Sequence, residues 1–185
     1  MKQLLLAIGL LLLAGVVYAG PVVEMKTSLG TIQIELNEEK APRTVNNFLA
    51  YVEQKFYDGT IFHRVIGRFM IQGGGYDRHE KRKETLDPIQ NEAANGLKNR
   101  KGSIAMARTN VVDSATSQFF INLVDNDALN YHGNSARTYG YAVFGQVISG
   151  MDVVEKIGQV KTIKKSSLFR NYPDPQIIIE SVRKL

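Results

Sequence analysis

The 185-residue chain contains no cysteine and no tryptophan. Without cysteine there is no disulfide, no thiol nucleophile, no Cys-ligated zinc site and no acylated lipoprotein terminus. The chain is still about the size of one ordinary domain, which is large enough to bury a core without such crosslinks. We therefore expect one domain held together by packing alone.

Several catalytic motifs are missing as well. The three histidines lack the spacing of a zinc site such as HExxH, and no serine lies in a GxSxG motif. The glycine run at 73–75 is not followed by the GK[ST] of a phosphate-binding loop, and no carboxylate pair suggests glycosidase chemistry. We expect no metal and no cofactor. His63 lies among apolar residues and is interpreted as a core histidine with satisfied hydrogen bonds.

The net charge of +5 and the pI near 9.4 would suit a nucleic-acid-binding protein. The basic residues are scattered, however, and acids interrupt even the densest run, RHEKRKE from Arg78 to Glu84. Such runs are typical of solvated loops. We expect no nucleic-acid partner, and the sequence leaves open whether the loop at 78–83 recruits another molecule.

Residues 1–19 have the layout of a secretory signal peptide. Lys2 precedes an apolar run from Leu4 to Val17, which is short for a membrane span of about 20 residues. Small residues precede the expected cleavage point after Ala19. We predict a signal peptide at 1–19, a mature domain at 20–185 and export without stable membrane insertion; an uncleaved membrane anchor is the alternative.

The mature domain has the pattern of short strands. VVEMKTS and TIQIEL flank Leu29-Gly30, and the second alternates with period two, which predicts a hairpin. Further strands are predicted at TIFHRVI, FMIQ, SIAMAR, SQFFINL, YAVFGQV and residues 176–182. A long irregular connection, from about Gly73 to Lys101, separates them, and connections of this length are often functional.

Two helices complete the predicted fold. Pro42 opens the first, whose apolar face consists of Val45, Phe48, Leu49, Val52 and Phe56. The second begins near Ser149, has Asp152 in place for a capping box, and buries Met151, Val154 and Ile157. About eight strands and two helices without an internal repeat predict a mainly β fold: a closed eight-stranded antiparallel barrel capped by two helices.

Strand alternation brings polar and apolar side chains onto one surface. Residues of equal parity share a face: Phe62, Arg64 and Ile66 in one strand, Met70 and Gln72 in the next, and Gln118, Phe120 and Asn122 in a third. The simpler alternatives are a salt-bridged surface arginine and glutamines that satisfy buried backbone. A functional surface would instead leave these polar groups unpaired within the fold, for a visiting molecule.

Five sequence blocks, in order over nearly all of the mature chain, carry a family resemblance. FHRVI, FMIQGGG, GSIAMAR, SATSQFFINL and YAVFGQVISGMDVVEKI resemble the cyclophilin-type peptidyl-prolyl cis-trans isomerases, particularly the exported bacterial branch. The resemblance implies a cyclophilin-like barrel, isomerisation of X-Pro bonds in exported proteins to assist their folding, and a periplasmic location.

The resemblance also assigns roles to residues of this chain. Arg64 matches the family's catalytic arginine, and Gln72 and Phe120 are placed with it in the catalytic group. The expected substrate-binding positions are Phe69, Met70, Ala107, Arg108, Gln118, Leu129 and Tyr141, with backbone rather than side chain offered at 107 and 108.

One position departs from the family pattern. Relatives that bind cyclosporin tightly have a tryptophan immediately before the pocket leucine, whereas this chain has Ala128. We expect weak cyclosporin binding, proline-containing polypeptides as substrates and a monomer. Two rival functions remain at this stage: a module that binds proline-containing segments without turnover, and a basic surface protein that holds anionic envelope polymers.

Overall fold

The computed structural model describes residues 20–185, so the predicted signal peptide and its cleavage site lie outside the described residues. The long strands are β1 Val22–Thr27, β2 Gly30–Leu36, β3 Thr60–Ile66, β4 Met70–Asp77, β5 Ser103–Met106, β6 Phe119–Asn122, β7 Val143–Ser149 and β10 Ile177–Lys184. The two-residue strands β8 Thr162–Ile163 and β9 Tyr172–Pro173 and the helices α1 Pro42–Glu53 and α2 Met151–Gly158 complete the elements described here.

The eight long strands form one closed antiparallel barrel in the order β1-β10-β3-β4-β6-β5-β7-β2. The predicted barrel is confirmed. Strands β1 and β2 form the expected hairpin, in which Met25 lies opposite Ile32 and Val23 opposite Ile34. In residues 20–185, closure leaves the barrel without a long unpaired sheet edge, which protects such a fold from edge-to-edge association.

The interior is filled by the inward faces of the strands and by α1, which covers one opening. Phe48 of α1 is fully buried, with its ring 5.1 Å from that of Tyr57, 5.8 Å from Phe119 and 5.2 Å from Phe144. Burying a side chain of this size contributes about 1.5–3 kcal/mol. This aromatic cluster supports the folded state without crosslinks.

Both helices form where expected, with corrections at their ends. In α1, Leu49 is only half-buried, and Phe56 is buried but follows the helix. The predicted capping box of α2 is wrong: Ser149 ends β7, and Gly150, with φ of 79°, is the N-cap without a side-chain bond. A Cβ at Gly150 would lie 2.3 Å from the Thr31 carbonyl oxygen, so glycine is required there. Met151 is half-buried, whereas Val154 and Ile157 are fully buried.

The connection after β4 is shorter than predicted because the glycine run continues the strand instead of ending it. At Gly73, a Cβ would lie 3.0 Å from the Ile61 carbonyl oxygen, and at Gly75 it would lie 2.5 Å from the Gln118 side chain. The glycines therefore admit neighbouring groups within the sheet. The remaining connection, 78–102, contains a 3₁₀ turn at Ala93–Asn95 and single bridges at Tyr76↔Arg82 and Ile89↔Ala115.

The segment 161–175, which we name the strap, was not predicted to have regular structure. It pairs Thr162 with Pro173 and Ile163 with Tyr172 through β8 and β9. It packs on the outside of β3, where Phe169 and Tyr172 cluster with Ile61 and Tyr76. The backbone N–H of Val65 donates to the Asn171 carbonyl oxygen at 2.9 Å. The strap therefore supports β3 beyond the three residues that pair with β10.

Candidate active site

An apolar cluster, which we name the hollow, lies on the outer surface of the barrel where β3, β4, β5, β6 and β7 meet. Its buried members are Met70, Ala105, Phe120 and Val143, and its partly buried members are Ile66, Phe69, Leu97, Ala107, Leu129 and Tyr141. The rings of Phe120 and Tyr141 meet edge to face with centroids 5.6 Å apart. The hollow thus has a buried apolar floor and a partly buried rim.

A row of polar side chains borders this hollow. Arg64 Nη1 donates to Gln72 Oε1 at 3.2 Å, and Gln72 Nε2 donates to Gln118 Oε1 at 3.0 Å. The pairing of the strands brings these side chains into a row: Arg64 of β3 lies opposite Gln72 of β4, and Gln72 lies opposite Phe120 of β6. The expectation that these groups are unpaired within the fold is therefore wrong, because they pair with one another.

The pairing leaves most of the guanidinium available. Arg64 is exposed, and among residues 20–185 its Nε and Nη2 have no hydrogen-bond partner and no carboxylate lies within 4 Å of it. The Gln72 contact fixes one edge of the planar group through a neutral acceptor. The other edge remains a cationic donor beside an apolar surface, where a hydrogen bond is stronger than in bulk water.

A β-bulge decides which residues of β3 reach this site. The pairing of β3 with β4 shifts register between Phe62 and Arg64. Phe62 is consequently buried in the barrel core against Phe119, with centroids 6.1 Å apart, instead of sharing a face with Arg64 and Ile66. The parity prediction is wrong for Phe62 because a bulge inserts one residue and resets the alternation.

The substrate-binding positions predicted at 107 and 108 have mixed roles. The backbone N–H of Ala107 donates to the Gln118 carbonyl oxygen at 2.9 Å, which uses it within the fold. The backbone N–H of Arg108 has no hydrogen-bond partner in the described part of the chain. The Arg108 side chain donates to the carbonyl oxygens of Gly140 and Ala136 and lies 4.9 Å from the centroid of the Tyr141 ring. Arg108 therefore supports the Tyr141 wall.

A buried network of asparagines holds the Leu129 side of the hollow. Asn99 Nδ2 donates to the Leu129 carbonyl oxygen at 3.0 Å, and Asn122 Nδ2 donates to Asn99 Oδ1 at 3.2 Å. Asn126 Nδ2 donates to Asn122 Oδ1 at 2.7 Å and to the Phe69 carbonyl oxygen at 2.9 Å. Asn122, which strand alternation placed on the face of Phe120, is fully buried and is linked to Leu129 through Asn99 and to Phe69 through Asn126.

Sequence reasoning missed four members of the hollow. Ala105 and Val143 share strand parity with Ala107 and Tyr141, so alternation could have identified them. Ile66 was placed on the correct face but not assigned to the pocket. Leu97 comes from the irregular connection, where no periodicity marks it.

His63 lies directly behind Arg64, under the strap. Its ring is 4.8 Å from that of Tyr76 and 6.3 Å from that of Phe169. The residue is 7% exposed, and its Nδ1 has no hydrogen-bond partner among the described residues. The prediction of a buried histidine is correct, but that of satisfied hydrogen bonds is wrong. Burial, followed by the charge of Arg64, lowers the pKa of His63 to about 4.

The part of the chain that the structure describes has no cluster of three or more histidine, aspartate or glutamate side chains placed to hold a metal ion. It also has no helix long and apolar enough to cross a bilayer. The chemistry available at the hollow is thus a fixed hydrogen-bond donor of positive charge, two amides and an apolar surface.

Comparisons with known proteins agree with this geometry. The model of the family described as cyclophilin type peptidyl-prolyl cis-trans isomerase matches residues 22–184. The chain is 52% identical over 183 residues to a peptidyl-prolyl cis-trans isomerase of Acinetobacter baylyi, covering 99% of this chain and 95% of the relative. It is 54% identical over 160 residues to peptidyl-prolyl cis-trans isomerase B of Escherichia coli, covering 86% and 97%.

A solved structure gives the same result for the fold. The crystal structure of a cyclophilin type peptidyl-prolyl cis-trans isomerase of Cryptosporidium parvum has a TM-score of 0.69 and 27% identity to this chain. The match covers 89% of this chain and 97% of that one. The barrel and its capping helices are therefore shared with a protein of this type.

We predict that His63 makes folding stability depend on pH between about 6.5 and 4. Its folded pKa is about 4 and an unfolded histidine has a pKa of about 6.5, so the unfolded chain binds more protons in this range and stability falls with falling pH. The loss due to His63 amounts to about 2–3 kcal/mol near pH 4.5. Urea unfolding of the wild type and His63→Phe at pH 7 and pH 4.5 measures it. Equal losses in the two proteins would contradict the prediction.

Proposed function

The chain belongs to the cyclophilin-type peptidyl-prolyl cis-trans isomerases, and we propose that it rotates X-Pro bonds of exported proteins in the periplasm and thereby assists their folding. The observation that supports this most directly is the exposed, un-neutralised edge of Arg64 beside the apolar hollow. The pattern of residues 1–19 supports the location.

The reaction needs no bond to be made or broken. Rotation about an X-Pro bond breaks amide conjugation, with a barrier of about 18–20 kcal/mol and uncatalysed times of tens to hundreds of seconds. A catalyst must bind the twisted amide better than either planar form. In the twisted state the proline nitrogen becomes pyramidal and regains a lone pair, which a fixed donor can meet.

Arg64 is the donor that we assign to this lone pair. Its contact with Gln72 fixes the guanidinium plane before substrate arrives, so the free edge is already oriented. A charge-assisted hydrogen bond is worth about 1.5–3 kcal/mol, which corresponds to about ten- to a hundredfold in rate.

The hollow supplies the remaining selectivity for the twisted state. We assign the proline ring to the surface formed by Met70 and Phe120, bounded by Phe69, Leu129 and Tyr141. With the ring held, the part of the substrate before proline turns against Gln72, Gln118 and the backbone near Arg108, which steer the carbonyl group. Because Gln72 and Gln118 already hold each other, their remaining donors and acceptors are presented in a fixed geometry.

Arg64→Ala is expected to retain the fold and to lower kcat/KM by about ten- to a hundredfold, since the donor is lost and the exposed side chain supports no packing. A protease-coupled assay with a proline peptide measures the rate. Arg43→Ala, which removes an exposed arginine of α1 outside the hollow, is the matched control and should retain the rate. Wild-type activity in Arg64→Ala would refute the assigned role.

Weak cyclosporin binding is also proposed, because Ala128 leaves the edge of the hollow without a large apolar side chain. Ala128 is exposed in the short 3₁₀ turn Asp127–Leu129, immediately before the pocket leucine. Ala128→Trp should tighten cyclosporin binding by about tenfold or more by adding buried apolar area. Calorimetry measures both proteins, and nanomolar binding by the unmodified chain would show that the proposal is wrong.

The export proposal predicts a mature protein that begins at Gly20. The full chain should be found in the periplasm of a Gram-negative host, and mass spectrometry of the purified protein should show an N-terminus at residue 20. A control with Leu11→Arg and Leu12→Arg, which interrupts the apolar run, should stay in the cytoplasm and retain Met1. Intact Met1 on a membrane-bound wild-type protein would favour the anchor instead.

A further inference from the structure

Basic residues that are far apart in sequence converge on one side of the barrel. The loop 78–84 and residues 161–170 of the strap, together named the basic face, contain Arg78, Lys81, Arg82, Lys83, Lys161, Lys164, Lys165 and Arg170 against Glu80 and Glu84. The whole chain has 23 basic and 18 acidic residues, which leaves 15 and 16 elsewhere. The net positive charge of the protein is therefore located on the basic face.

Contacts between the two segments hold the basic face together. Lys165 forms an ion pair with Glu80, which also accepts a hydrogen bond from the Tyr172 hydroxyl at 2.9 Å. Gln176 Nε2 donates to the Arg78 carbonyl oxygen at 3.1 Å. Beneath them, the rings of Tyr76 and Phe169 lie 5.1 Å apart. The two segments thus form one surface.

Among the acids in and next to the basic face, Glu80 is paired with one cation of the face and Asp77 is bound to backbone groups. Asp77 Oδ1 accepts the backbone N–H groups of His79 at 2.8 Å and Lys81 at 2.9 Å, and Glu80 is occupied by Lys165 and Tyr172. Within residues 20–185, seven of the eight cations on this face have no carboxylate within 4 Å; apart from the half-buried Lys83, they are Arg78, Lys81, Arg82, Lys161, Lys164 and Arg170. These side chains are exposed and available to an anionic partner.

The basic face continues from the polar row of the candidate active site. The side chain of Gln118 covers Gly75, and the backbone N–H of Lys83 donates to the Gly75 carbonyl oxygen at 3.1 Å. Along β4, Gln72 and Asp77 are five residues apart, or about 17 Å at the rise of an extended strand. A substrate extended from the hollow would reach the basic face about five or six residues from its proline.

We propose that the basic face selects X-Pro substrates with a run of aspartate or glutamate about five to eight residues from the proline. This inference rests on the proposed isomerase function and adds a substrate class to it. The charges of the basic face attract the acidic segment of the substrate during association and hold it in the complex. They therefore change KM and the association rate, and salt weakens both effects. They do not contact the rotating bond, so kcat for a neutral substrate is independent of them.

The test compares peptides with one Ala-Pro centre and a run of about four glutamates, glutamines or lysines about six residues away on either side. NMR exchange spectroscopy gives kcat/KM at about 20 mM and about 300 mM salt. At low salt the glutamate peptide should exceed the glutamine peptide about three- to tenfold, through KM, and the ratio should approach one at high salt.

Reversing two charges on the basic face tests whether this face causes the preference for the glutamate peptide. The double variant Lys81→Glu, Lys164→Glu should lose or invert the preference and turn over the glutamine peptide at the wild-type rate. The matched control Lys40→Glu, Lys184→Glu changes two exposed lysines outside the basic face and should keep the preference. Equal rates for glutamate and glutamine peptides, or a preference that survives reversal at Lys81 and Lys164, would overturn the inference.

A second experiment, with lipid vesicles, tests whether the anionic partner of the basic face is a membrane instead of an acidic peptide. Sedimentation with phosphatidylglycerol vesicles that is lost in the double variant, without any peptide preference, would assign the face to membranes and overturn the substrate proposal. The glutamine peptide reports on the isomerase by itself. If the wild type fails to turn it over, the proposed function fails, and the inference built on it fails as well.

Discussion

The site depends on one interaction, the hydrogen bond from Arg64 to the neutral side chain of Gln72. A carboxylate in that place would orient the guanidinium equally well but would neutralise it. An amide orients the group and leaves its charge available to a ligand. Gln72 is held in turn by Gln118, which directly precedes β6, so the cation is fixed by two linked amides. The adjoining apolar hollow lowers the local dielectric and strengthens any bond that the free edge makes.

The barrel makes this arrangement possible through one irregularity. A regular β3 would direct Phe62 and Arg64 to the same side. The bulge between them sends Phe62 into the core and Arg64 to the surface. Beyond Phe62 the strand has no β10 partner, and the strap supports it through Asn171 and the cluster around Phe169. His63 lies in that support, where burial and then the charge of Arg64 lower its pKa to about 4.

The sequence predicted the elements that follow simple periodicity. The hairpin and the first helix follow period-two and helical patterns and were found where expected. The strand at 60–66 was found too, although its alternation breaks at the bulge. The errors occur where tertiary structure overrides the local pattern. Gly73–Gly75 resemble a turn, but they continue a strand because neighbouring side chains and backbone need the space. The bulge at Phe62 and the position of Leu97 depend on strand pairing and loop packing that no local signal encodes.

In the candidate site, too, strand alternation predicted some features and tertiary structure determined the others. Alternation placed Arg64, Gln72, Met70, Gln118 and Phe120 on one surface, and the structure brings them together. The hydrogen bonds among the polar side chains depend on distances between strands. Strand alternation does not give those distances, so it could not predict the bonds. The convergence of loop 78–84 with the strap is also invisible in sequence, since about 80 residues separate them.

In the proposed function, the free edge of Arg64 meets the prolyl nitrogen of a substrate whose ring occupies the hollow. A crystal structure of the protein with a bound X-Pro peptide tests it most directly. We expect the proline ring to lie against Met70 and Phe120 and a guanidinium nitrogen to lie within about 3.5 Å of the prolyl nitrogen. A proline bound outside the hollow, or a guanidinium directed away from that nitrogen, would contradict the role assigned to Arg64.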